Sequence, residues 1–141
     1  MHDASDTPIH QRIDDHFLYC AVRGDLAGLQ SAVASGAFPN AATANGDNAL
    51  HLACAFGHPD VVPYLISLGT DPNAQNHDGM TPMHECVAGE ADDLALHPKC
   101  LEALLACGKA DTAIANKAGL TPEQCIHSLL REVELGYEAR R

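Results

Sequence analysis

The 141-residue chain has no tryptophan, and its aromatic residues make up only 4% of the whole. A core built with so few rings must come from Ala, Leu, Val and Ile, whose small side chains suit closely packed helices. Basic residues are scarce as well. Eight Lys and Arg stand against nineteen Asp and Glu, for a formal net charge of −11. That balance argues against nucleic acid or an anionic membrane as partner, since both attract a basic face. The expected partner is another protein with a basic patch, where charge speeds encounter more than it sets affinity. No apolar run approaches the length of a membrane span. The opening stretch MHDASDTPIHQRIDDH has no hydrophobic segment of the secretory kind. A cytoplasmic setting with reduced thiols is the expectation.

Motifs for chemistry are missing too. The cysteines are Cys20, Cys54, Cys86, Cys100, Cys107 and Cys125, and no two form a C-x-x-C pair. There is no glycine-rich phosphate loop, no H-E-x-x-H helix and no G-x-S-x-G turn. The histidines His2, His10 and His16 match no metal-ligand spacing. No catalytic residue, cofactor or metal is expected. One stretch, DGMTPMHECV at residues 78–87, does set His84 near Cys86. Positions i and i+2 of a helix face apart, which argues against a shared ion. An enzyme or metal protein using the His, Cys and Asp content is the lesser alternative.

What the chain does hold is a period. Laid over DGMTPMHECV, the segment NGDNALHLACAFGHPDVVPYLISLGTDPNAQN sets Gly46 on Gly79, Leu50 on Met83 and His51 on His84, a step of 33 residues. Upstream, Gly36 matches Gly69, Pro39-Asn40 matches Pro72-Asn73, and Phe17 matches Leu50. Downstream, Gly119-Leu120-Thr121-Pro122 repeats Gly79-Met80-Thr81-Pro82 at a step of 40, so the third unit carries an insertion. Each unit reads as helix, turn, helix and hairpin-like loop. Thr81 caps a first helix whose Pro82 sits where a missing N–H costs nothing. A second helix starts near Pro59 or Pro98, with Val61, Val62, Leu65 and Ile66, or Leu101, Leu104 and Leu105, at helical spacing. Gly69 and Gly108 fall at its C-terminal cap. Pro63 lies inside that helix, where it should remove a hydrogen bond and cost stability or force a kink.

With G-x-T-P-x-H, a Gly-His turn and G-x-D-x-N-A in constant register, the chain resembles the ankyrin repeat family. The resemblance implies an all-α solenoid of stacked helix-turn-helix units with hairpin loops. Residues 1–13 read as a polar tail and residues 14–141 as one domain. Within it, 14–44 form an N-terminal capping unit, 45–77 a full unit, 78–117 a unit with an insertion at 89–97, and 118–141 a C-terminal cap. The cap keeps Thr121-Pro122 but has Glu123-Gln124 where an apolar residue and histidine would sit. The resemblance makes the T-P-x-H histidines structural. His51, His84, Thr81, Pro82, Thr121 and Pro122 are scaffold, and Cys86 fills a small buried slot.

The same resemblance implies a non-catalytic protein–protein interaction module. Its contacts would lie on the concave face, at the hairpin tips and late in the inner helices. The tips supply Asn45, Asp47, Gln75, His77, Asp78 and Met80. Phe56 is either a binding anchor or a residue packed on the following unit, and Met80 either adapts to a partner or covers the hairpin. The insertion carries Glu90, Asp92, Asp93 and Leu94, an acidic finger for a Lys/Arg patch or else a solvated loop. An inhibitor or immunity-type protein that masks a partner's active site is the alternative. A monomer is expected, although SLLREVELGYEARR could close a homo-oligomer rather than the last unit.

Overall fold

The computed structural model describes residues 9–88 and 98–125. The insertion with Glu90, Asp92, Asp93 and Leu94, and the C-terminal segment SLLREVELGYEARR, lie outside these residues. Helix α1 (Ile9–Arg23) pairs with α2 (Leu26–Ala34). α3 (Ala49–Ala55) is followed by a 3₁₀ turn (Pro59–Val61) and α4 (Val62–Ser67). α5 (Pro82–Ala88) and α6 (Pro98–Ala106) form the third pair. Residues 122–125 are again helical. Among the described residues the only β-type pairing is an isolated bridge between Ala42 and Asn48. α1 begins at Ile9, ahead of the boundary placed at residue 14. Ile13 packs on the core one helical turn before the fully buried Phe17, so the apolar spacing extends the helix backwards.

The first helices of the pairs stand side by side, α1 against α3 and α3 against α5. Their buried faces repeat with the sequence. Phe17, Leu50 and Met83 form one column, and Cys20, Ala53 and Cys86 a column of small side chains, all buried. Leu29, Leu65 and Leu104 from the second helices complete one continuous core. Fully burying a Leu or Phe stabilises by about 1.5–3 kcal/mol relative to exposure. Each unit contributes two or three such residues, too few to stand alone, so neighbours must stack.

The structure corrects the expectation for Pro63. The chain between Pro59 and Ser67 is not one helix: a 3₁₀ turn comes first, and the α-helix starts at Val62. Pro63 therefore lies in the first turn of α4, where its absent N–H has no helical acceptor to lose. The penalty for a lost helical hydrogen bond disappears. Gly69 and Gly108 do end α4 and α6 in left-handed geometry, at φ +95° and +70°.

Hydrogen bonds join one unit to the next at the same period. The Asn40 side chain donates to the Gly69 carbonyl at 3.1 Å and accepts from the Asp71 N–H at 2.8 Å. One unit on, Asn73 donates to the Lys109 carbonyl at 2.9 Å and accepts from the Asp111 N–H at 2.6 Å. The His58 ring reaches back to the Val22 carbonyl at 2.8 Å.

Candidate interaction surface

The loops between units are short fingers with one recurring geometry. The Thr43 N–H donates to the Asp47 carbonyl at 2.9 Å, Asn76 to Met80 at 3.0 Å, and Asn116 to Leu120 at 2.9 Å. In each the first residue's side chain also closes the turn. Thr43 Oγ1 accepts from the Asp47 N–H. Asn76 Oδ1 accepts from the N–H groups of Asp78 and Met80, and Asn116 Oδ1 from those of Ala118 and Leu120. The tips are tied into a row: the His77 N–H donates to the Asn45 carbonyl and the Lys117 N–H to that of Asp78, both at 3.0 Å.

The histidines lock helices to fingers. The Asn48 backbone N–H can only donate, so His51 Nδ1, 3.0 Å away, is the acceptor. Nε2 then carries the proton and donates to the Met80 carbonyl at 2.7 Å. Asn48 Oδ1 accepts from the His51 N–H in return, which completes a capping box at the start of α3. His84 repeats the arrangement with the Thr81 N–H (3.0 Å) and the Leu120 carbonyl (2.8 Å). Burial pulls both rings below the usual histidine pKa, so they are neutral. Thr81 and Pro82 are buried beside them. In the last unit Gln124 takes the histidine's place in the box. Its side chain accepts from the Thr121 N–H at 2.9 Å, and its own N–H donates to Thr121 Oγ1 at 3.3 Å. Pro122 is buried next to it.

The thiols are filler of another kind. Cys54, Cys86 and Cys100 come from α3, α5 and α6, and each is fully buried. Hydrogen bonding to Cys100 and Cys86, with burial added, holds Cys54 well above the usual thiol pKa. Cys86 is raised too, chiefly by its hydrogen bond to Cys100. Such thiols are poor nucleophiles and poor ligands. Both ring nitrogens of His84 are already occupied, so His84 and Cys86 have no shared task. Among the described residues, no three His, Cys, Asp or Glu side chains gather so that they could hold a metal ion.

The fingers and first helices do enclose a cleft of about 260 Å³. The first finger contributes Asn45 and Asp47, and the second Asn76 and Asp78. Leu52 and Ala55 of α3, with Phe56 at its C-terminal cap, form an apolar wall, Glu85 of α5 closes the far side, and His51 lies at the base. Asn76 is 6% exposed, and its amide donates to both Asp47 Oδ1 (2.8 Å) and Glu85 Oε1 (3.3 Å). One buried amide thus sets two carboxylates side by side. Phe56 keeps 45% of its surface exposed. Among the described residues, no lysine or arginine lines the cleft.

Of the partner-binding candidates singled out in the sequence, the tip residues Asn45, Asp47 and Asp78 and the helix-end residue Phe56 meet here. The others do not. The Gln75 amide spans two fingers, donating to the Gly79 carbonyl at 3.0 Å and the Ala115 carbonyl at 3.1 Å. Met80 is half-buried, and its sulfur accepts from Asn116 Nδ2 at 3.4 Å. His77 is exposed at its tip. Sequence reasoning missed Asn76, Leu52 and Glu85. The signal for Glu85 was available, since it stands in the period-33 column with Tyr19 and Leu52.

Residues 17–116 match the family described as ankyrin repeats (3 copies). The chain belongs to the ankyrin repeat family. Ankyrin repeats are protein-interaction modules. An ankyrin repeat-containing protein of Schizosaccharomyces pombe is 36% identical over 95 residues, 67% of this chain and 41% of its own length. Protein phosphatase 1 regulatory subunit 27 of Mus musculus is 42% identical over 59 residues, 42% of this chain and 38% of its own. The NF-kappa-B inhibitor cactus of Drosophila melanogaster is 37% identical over 81 residues, 57% of this chain and 15% of its own. The chain thus spans less than half the length of each of these relatives. Within the described residues of this ankyrin repeat protein, no helix is long and apolar enough to cross a membrane.

Proposed function

We propose that this ankyrin repeat protein is a non-catalytic module that binds a basic protein partner through its finger side, with the acidic cleft at the centre. One observation carries the reading. Asp47, Asp78 and Glu85 line one cleft beside a half-exposed aromatic ring, with no lysine or arginine among the described lining residues. A basic partner would bring positive charge to these carboxylates, and Phe56 would supply an apolar anchor. The exposed tip at His77, with Gln75 and Met80 beside it, extends the contact. The acidic insertion with Glu90, Asp92, Asp93 and Leu94 follows α5 directly in the chain and would flank the same partner. The module acts as a monomer in the cytoplasm.

A second reading is inhibition, in which the bound chain covers a partner's active site. The names of two relatives favour it, one a phosphatase regulatory subunit and one an inhibitor. The test begins with the partner recovered by affinity capture on the full chain. Binding should weaken as salt rises and should fall for Phe56→Ala and for Asp78→Asn. Binding indifferent to salt and to both substitutions would overturn the proposal. If the partner is an enzyme, loss of its turnover at saturating chain would separate inhibitor from adaptor.

A further inference from the structure

We propose that the cleft takes one arginine side chain presented by the partner, an inference that rests on the interaction reading above. Size comes first. At about 260 Å³ the cleft falls below the roughly 300–1,000 Å³ of pockets that enclose drug-sized ligands. It suits a single long side chain better than a cofactor. Shape comes second. One wall is apolar, with the half-exposed Phe56 ring, Leu52 and Ala55, and the other bears the carboxylates of Asp47, Asp78 and Glu85. An occupant must therefore offer an apolar stem on one side and several donors on the other. Arginine does both: its stem lies along the wall, its planar guanidinium stacks on the ring, and its fork of N–H groups meets paired carboxylate oxygens.

The carboxylates are also held for such a ligand. The Asn76 amide donates to Asp47 Oδ1 and Glu85 Oε1, and the Asn45 amide donates to Asp47 Oδ2 at 3.4 Å, so the placement of these carboxylates is fixed before anything binds. Asp78 stands at the mouth, and its carboxylate has no hydrogen-bond partner among the described residues. His51 at the base is neutral, with both nitrogens engaged, and supplies no competing cation. A lysine ammonium would satisfy the charge but leave the ring without a planar partner. A divalent cation is disfavoured, because these acidic groups do not gather closely enough to hold one.

The experiment is an NMR titration of the ¹⁵N-labelled full chain with three probes: N-acetyl-arginine amide, N-acetyl-lysine amide and N-acetyl-citrulline amide. Citrulline keeps the shape of arginine and lacks its charge. The arginine probe should move the amide signals of Asp47, Phe56, Asp78 and Glu85 along saturable curves. The lysine probe should bind several-fold more weakly, and citrulline should leave those signals in place. Asp78→Asn changes a side chain that holds nothing in the fold, and it should weaken the arginine probe about two- to fivefold. Phe56→Ala should weaken arginine more than lysine. Absence of saturable shifts, equal response to citrulline, or shifts centred elsewhere would overturn the inference. A captured partner that needs Phe56 and Asp78 but is not displaced by the arginine probe would also overturn it, while leaving the interaction reading intact.

Discussion

Replacing His51 with alanine removes two hydrogen bonds and one buried ring at once. The Asn48 N–H, in a residue only 3% exposed, loses its acceptor at 3.0 Å. The Met80 carbonyl loses its donor at 2.7 Å. A buried polar group left without a partner costs about 1–3 kcal/mol. The void left by the imidazole, itself 1% exposed, adds to that. The sum is about 3–5 kcal/mol, a large share of the 5–15 kcal/mol typical of a whole domain. His77→Ala supplies the control, because that exposed tip side chain should matter by less than about 0.5 kcal/mol. Urea unfolding of the full chain and both variants gives the comparison. If the two variants unfold alike, or if His51→Ala loses less than about 1 kcal/mol, the histidine does not join helix to finger as described.

Acidification should weaken the fold through the same rings. Burial lowers the pKa of His51 and His84, so their contribution is complete above about pH 6.5 and is lost as pH falls through the lower folded values. The urea midpoint should therefore drop between about pH 7.5 and 5.5 more steeply in the wild type than in the His51→Gln/His84→Gln variant; equal slopes would contradict this. Gly79→Ala should cost more than Gly108→Ala. Both glycines have positive φ, near +73° and +70°, but a Cβ on Gly79 would sit 2.7 Å from the Lys117 nitrogen, whereas Gly108 faces open space. Thermal unfolding should show about 1 kcal/mol for Gly108→Ala and clearly more for Gly79→Ala. Toward a thiol reagent, Cys54, Cys86 and Cys100 should stay unmodified in the native chain while the half-buried Cys107 and Cys125 react. Modification of all six at one rate would refute that.

The fold was legible because its signals recur. Gly46 and Gly79, Leu50 and Met83, and His51 and His84 repeat at one step, and each pair serves one structural purpose. Pro63 was misread because composition does not show where a 3₁₀ turn gives way to an α-helix. The cleft was legible only in part. Asp47, Asp78 and Phe56 could be reached from loop tips and helix ends, since exposure there follows from position. Asn76 joins them through juxtaposition of two units, which no local pattern announces, and Glu85 is reached only through its period-33 column. Gln75 and Met80 lie outside the cleft and bridge neighbouring fingers, through pairings with Ala115 and Asn116 that no local pattern in the sequence announces.

The proposed recognition resides on the finger side, and the second helices only support it. Calorimetric titration of the captured partner against two double variants tests this most directly. Phe56→Ala with Asp78→Asn alters the cleft, and Leu26→Ala with Leu105→Ala alters exposed positions of α2 and α6. The cleft variant should lose about tenfold or more in affinity while the α2/α6 variant binds like the wild type. The opposite ranking, or equal binding by both, would contradict the account.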